Sequence, residues 1–215
     1  MLQKKEQETI SISRPNFETI KVKIRGNTPY CQNKFSEKAK QQMKETQEAG
    51  AKGKSKKKRV AKDFNQMYLD AMYLSKDEWC GIPASAFRNA MISACKLVGV
   101  VMTRSKLALF VEPDGFDKHD STPLVKITKG KPHYWEATVR LASGVCDIHP
   151  RPKWDEGWEA ILSIRYDADM LGAEDVANLL FRAGAQVGVG EGRHDSKKSN
   201  GIGFGEFTII EENAK

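Results

Sequence analysis

Two amphipathic helical stretches, each framed by strand-like alternation, constrain this chain more than any other feature. The first opens at Gly81-Ile82-Pro83-Ala84-Ser85. Pro83 suits an opening helical turn, because its missing N–H is not needed there. Phe87, Ala90, Met91, Ala94 and Val98 then share one helical face, and Gly99 stops the run. The second stretch runs from Ala173 to about Ala185, with Val176, Leu179, Leu180 and Ala183 on one face. Glu174 and Asp175 sit in its first turn, where they favour the helix dipole. Before the first helix, Ile20, Val22 and Ile24 alternate with Lys21, Lys23 and Arg25, which predicts a strand with one apolar and one basic face. Strands are also predicted over Leu107 to Val111, along the alternating run Trp158 to Tyr166, and over Glu206 to Ile210.

That order is β-α-β-β-α-β. It predicts an α+β, ferredoxin-like (RRM-like) antiparallel sheet carrying two helices. Two additions interrupt it, a basic insertion at about 34–75 and a β-hairpin at about 120–150. Helices are expected within the insertion from Phe35 to about Gln47 and from Val60 to about Leu74. Leu124 to Ile127 is expected to be extended. The hairpin is expected from Tyr134 to Leu141 and Val145 to Ile148, with Pro150 and Pro152 interrupting any further ladder. Residues 1–17 read as a flexible lead-in and 18–215 as a single domain.

Charge is concentrated. Between residues 34 and 62 eleven basic side chains face three acidic ones, so this stretch carries +8 in a chain of net charge +7. The remaining body is close to neutral. Such a block is either an arm that meets an anionic polymer or a solvated linker. The core Lys54-Ser55-Lys56-Lys57-Lys58-Arg59 also matches a nuclear-localisation pattern, as any phosphate-binding arm does.

Other classes are disfavoured. No apolar run approaches the ~18 residues of a membrane span, and Met1 to Glu6 carries no signal-like apolar core, so a cytoplasmic protein with no membrane partner is expected. Cys31, Cys80, Cys95 and Cys146 have no short spacing, and His119, His133, His149 and His194 are dispersed. Free thiols and no metal or other cofactor are the expectation. Asp114, Asp117 and Asp120 lack the glycine and final Glu of a calcium loop and read as decoration of a loop.

The candidate binding residues fall into three groups besides the arm. Six glycines lie between 188 and 205, more than turns alone need, beside Arg193, His194, Lys197 and Lys198. Gly188, Gly190 and Gly192 permit positive φ and close backbone approach, so amides there can face phosphate. The alternative is a flexible connection. No Walker lysine follows, and the helix-before-strand order is not that of a dinucleotide fingerprint. At the first helix, Ser85 and Arg88 lie near a positive dipole end suited to anions, or else merely support the first turn. Lys21, Lys23 and Arg25 form the third group. Tyr134, Trp135, Trp154 and Trp158 are candidates for base stacking, with core packing expected for at least half of them.

Ile82-Pro83-Ala84-Ser85-Ala86-Phe87-Arg88-Asn89-Ala90 resembles the helix start of the RAMP superfamily of CRISPR-associated RNA-binding proteins, with Ala84 and Asn89 where that family has glycines. Gly188 to Gly205 resembles its C-terminal glycine-rich loop, and Ile24 to Pro29 its first strand and turn. The resemblance covers roughly residues 18–33 and 81–210 and is nearest to effector-complex backbone subunits or solitary phage and prophage relatives. It implies a protein that polymerises along RNA, with phosphates at Ser85, Arg88 and the loop around Gly190 to His194, and CRISPR effector subunits as possible partners. Processing nucleases of that family use a His near the first helix, and target-cutting backbone subunits an Asp after the first strand. Here every His follows residue 118, and Thr28 to Phe35 contains no acid. The expectation is a non-catalytic binder of single-stranded RNA or DNA that self-associates. A metal-independent endoribonuclease using His194 or His133, and a decoy or anti-CRISPR mimic of a backbone subunit, are the alternatives.

Overall fold

A computed structural model describes residues 12–48, 50, 61–140, 144–195 and 201–210, without the side chain of residue 140. The expected arm residues Lys54, Lys56, Lys57, Lys58 and Arg59, and Lys197 and Lys198 of the glycine loop, lie outside the described residues.

Four strands and two helices form the expected skeleton. They are β1 (Phe17–Gly26), α3 (Ala84–Ala94), β4 (Leu109–Glu112), β9 (Glu159–Asp167), α5 (Ala173–Arg182) and β10 (Phe207–Ile209). The remaining elements are β2 (Tyr30–Cys31), α1 (Glu37–Glu48), α2 (Phe64–Asp70), β3 (Gly81–Pro83), α4 (Met102–Ala108), β5 (Gly115–Phe116), β6 (Pro123–Lys129), β7 (His133–Arg140) and β8 (Cys146–Trp154). In the main sheet β10 pairs with β1 and β1 with β9, while β4 and β6 share the other edge of β9. β3 and β5 extend the sheet from β6, and every pairing is antiparallel. The order β10-β1-β9-β4, with a helix crossing after β1 and another after β9, is the ferredoxin-like arrangement.

Alternation explains how the layers meet. Ile24 on β1 and Ala160, Leu162 and Ile164 on β9 face the helices and are buried against Phe87, Met91, Val176, Leu179 and Leu180. Each large side chain so buried contributes roughly 1.5–3 kcal/mol relative to exposure. The helices therefore cover one sheet face. Lys21, Lys23 and Arg25, at the intervening positions of β1, belong to the other.

Several expectations are corrected. The strand expected from Leu107 begins only at Leu109, because α4 occupies Met102–Ala108. The second insertion helix is shorter than expected. Asp63 caps it, accepting the Gln66 amide at 2.9 Å, and Ala71 ends it as the chain enters the core. Pro150 and Pro152 do not interrupt the hairpin. They lie within β8 opposite Glu136 and Tyr134 of β7. The Pro152 carbonyl accepts the Gln32 amide at 3.0 Å, on the side away from β7. The missing proline N–H groups therefore also point outward, toward the edge that two-residue β2 scarcely covers, and the β7 ladder loses nothing. β2, β8 and β7 form a second sheet, whereas β6 belongs to the main one.

Asp117 is not loop decoration, and Lys34 is not part of an exposed arm. The two form a buried ion pair at 2.5 Å, with side chains 0% and 3% exposed. Asp117 also accepts the amides of Leu74, His119 and Asp120. The Lys34 amide donates to Ala71, and buried Gln32 accepts the Tyr73 amide and donates to the Gly81 carbonyl. These bonds close a neck from which α1 emerges and to which α2 returns.

Candidate nucleic-acid interface

A cleft of about 940 Å³ lies where three elements converge. One wall is the outer face of α3, with Ala86, Asn89 and Ser93 at helical spacing. The second is β7 from Trp135 to Val139, and the third is the glycine loop from Gly188 to Arg193 with Ile202 and Phe204. Cys31 and Asn33 contribute from the β2 side. Burial pushes the Cys31 thiol up to about 12, the nearby Glu191 carboxylate acting in the same direction.

The loop depends on glycine by construction. All six glycines have positive φ. A Cβ on Gly205 would lie 1.8 Å from the Val189 carbonyl oxygen, and one on Gly190 would lie 2.5 Å from both the Tyr30 ring and the Cys31 oxygen. Only glycine lets this backbone pack on buried Tyr30. The loop is pinned as well. Val189 donates to Gly205, Gly205 to Pro29, Glu191 to Cys31, and Gly203 to Gly192. The amides of Gly188, Gly203 and Gly205 are thus bonded internally, whereas those of Gly190 and Gly192 have no partner among the described residues. Over its described residues, 188–195 and 201–205, the connection is held by these bonds.

Arg193 lines the cleft and donates to the Gly190 carbonyl at 2.9 Å. Arg151 bonds Glu191 at 2.8 Å and ties the loop to β8. His194 stands beside the cleft, 2.6 Å from Glu206. In the lining, Trp135 and Phe204 meet edge to face with ring centres 5.6 Å apart, and the Lys153 ammonium lies 5.7 Å from one ring and 6.0 Å from the other. Trp154 and Trp158 are fully buried against Tyr30, whereas Tyr134 and Trp135 keep exposed surface.

Of the sequence-derived candidates among the described residues, the cleft gathers Trp135, Gly188, Gly190, Gly192 and Arg193, and not Lys21, Lys23, Arg25, Ser85, Arg88, His194, Tyr134, Trp154 or Trp158. Ser85 is exposed on α3 outside the lining. Arg88 turns toward β4, donating to the Leu109 carbonyl at 2.7 Å and to that of Lys106, and it lies over the Phe110 ring. Its charge serves the fold there. Lys23, Arg25 and Lys129 converge on the Glu159 carboxylate at 3.2, 2.8 and 3.2 Å, while Lys21 is exposed beside them. Burial would raise the Glu159 pKa. The hydrogen bonds from Arg25, Lys23 and Lys129 outweigh it and hold the carboxyl down at about 2.

Sequence reasoning missed Asn89, Ser93, Phe204 and Lys153. For the first two the signal was there: polar residues spaced i, i+4 on a helix whose other face is core. Phe204 and Lys153 come together only through β8, a pairing that local pattern does not reveal. Among the described residues no group of three His, Cys, Asp or Glu side chains could hold a metal ion, and no helix is long and apolar enough to cross a membrane.

No family model matches the chain, and no curated protein matches it. Among solved structures it is similar to Cmr6 from Pyrococcus furiosus, with a TM-score of 0.43 and 10% identity over 91% of this chain and 99% of that one. A TM-score of 0.43 is too low to carry a residue role or an activity from one chain to the other.

Proposed function

We propose that the cleft binds single-stranded nucleic acid without cutting it, bases resting on Trp135 and Phe204 and phosphates passing along the glycine loop. The observation that carries this reading is the aromatic pair under the Lys153 ammonium in the lining of a glycine-walled cleft. Stacking on an exposed ring contributes about 1–3 kcal/mol per base, and cations and oriented amides take phosphate. The resemblance of the helix start and glycine loop to RAMP proteins favours RNA over DNA and assembly along the strand. Arm residues 54–59 would add affinity that falls with salt.

Fluorescence anisotropy with labelled 20-nucleotide RNA and DNA single strands tests this. Trp135→Ala with Phe204→Ala should weaken binding at least ~10-fold, the loss of about one stacked base. Deleting residues 50–60 should lower the salt slope. No binding at low salt, on either strand, refutes the reading.

One observation favours a nuclease as second reading. The His194–Glu206 pair is a carboxylate-oriented imidazole beside the cleft, a geometry suited to general acid–base work. Cleavage of hairpin RNA in EDTA, lost in His194→Ala, would establish it.

A further inference from the structure

One end of the molecule carries a surface that the cleft does not use. α3 ends there, α4 lies there, β4 starts there and β9 finishes there, since Leu109 pairs with Tyr166 and Phe17 with Asp167. Leu97, Val98, Val100, Val101 and Leu107 are exposed within an eleven-residue span, Leu107 at 74%. A monomer rarely leaves so many large aliphatic side chains together in water.

The charges around this patch are segregated. Lys96, Arg104 and Lys106 are exposed on its rim, and no acidic residue occurs between Trp79 and Val111. The β9–α5 connection at the same end holds exposed Asp169 beside exposed Met170, and the first turn of α5 adds exposed Glu174. Among the described residues none of Lys96, Arg104, Lys106, Asp169 or Glu174 makes a salt bridge. An apolar–basic patch thus adjoins an apolar–acidic one. Two such patches side by side are what a two-fold interface requires, because each then meets its complement on the other copy.

We propose that this end is self-complementary and joins two copies of the chain into a two-fold dimer. The apolar residues form its centre and the opposed charges set its register. An anionic membrane would match the basic rim but would be repelled by Asp169 and Glu174, which is why a second copy fits better.

The test is sedimentation velocity on nuclease-treated full chain, so that nucleic acid cannot hold copies together. Wild type should be a dimer at ~50 µM, and Val101→Glu with Leu107→Glu should weaken association at least ~100-fold while far-UV circular dichroism stays unchanged. Arg104→Glu with Lys106→Glu should be monomeric, as should Asp169→Lys with Glu174→Lys. Mixing these two charge-reversed proteins should restore a one-to-one dimer. A monomeric wild type, glutamate variants that dimerise like wild type, or a mixture that stays monomeric would each overturn the proposal. So would a wild type that stays monomeric yet co-sediments with phosphatidylserine vesicles.

Discussion

Removing the Asp117 carboxylate should be the most damaging single change outside the hydrophobic core. In Asp117→Ala the Lys34 ammonium, 3% exposed, loses the carboxylate it pairs with at 2.5 Å. The amides of Leu74, His119 and Asp120 lose their acceptor in the same step. Breaking a buried pair by deleting one partner costs about 3–5 kcal/mol, because the charge left behind is uncompensated. The Lys34→Met variant differs. Asp117 keeps three N–H donors, and the methionine chain fills the space of the lysine stem, so about 1–2 kcal/mol is expected. The assay is urea denaturation followed by circular dichroism, comparing midpoints at constant slope. With a slope of ~2 kcal/mol/M, Asp117→Ala should lower the midpoint by ~1.5–2.5 M and Lys34→Met by less than ~1 M. Equal effects, or a shift below ~0.5 M for Asp117→Ala, would refute the view that this pair closes the neck of the insertion.

Three further outcomes follow from named contacts. Glu159 has a folded pKa of about 2 against an ordinary 4.5, so its contribution to stability is complete above pH 4.5 and is lost as pH falls through about 2. Wild type should therefore lose stability across that window faster than Glu159→Gln, as read from thermal midpoints at each pH. Gly205→Ala places a methyl 1.8 Å from the Val189 oxygen at φ +77°, so it should cost more than ~2 kcal/mol, measured by the same urea titration. Cys31 lines the cleft, yet its raised pKa should leave it unreacted with iodoacetamide at pH 8 while exposed Cys146 is alkylated, which peptide mass spectrometry would show.

The parts of the fold legible in sequence were those whose pattern is local. Alternation at Ile20 to Ile24 and along β9 reports burial against the helices directly, and Pro83 with Phe87, Ala90 and Met91 marks α3 and its buried face. What stayed hidden depends on partners distant in sequence. Arg88 reads as a free cation until β4 supplies the Leu109 carbonyl, twenty-one residues away. Lys34 reads as one of eleven arm charges until Asp117 arrives across the neck. Pro150 and Pro152 read as strand breakers because nothing local shows that β8 has an almost uncovered edge. The glycine loop was legible as a candidate, but its opposing wall on β7 was not, since Trp135 gains its place only when the second sheet folds over α3.

In the proposed complex a nucleic acid strand lies between Trp135 and the glycine loop. Ultraviolet crosslinking to 4-thiouridine-labelled single-stranded RNA, with the attached peptides identified by mass spectrometry, tests it most directly. Crosslinks should concentrate on peptides spanning 133–140 and 188–205, with a weaker set from the basic arm. Crosslinks confined to Lys21, Lys23 and Arg25 on the opposite sheet face, or to the arm alone, would contradict it.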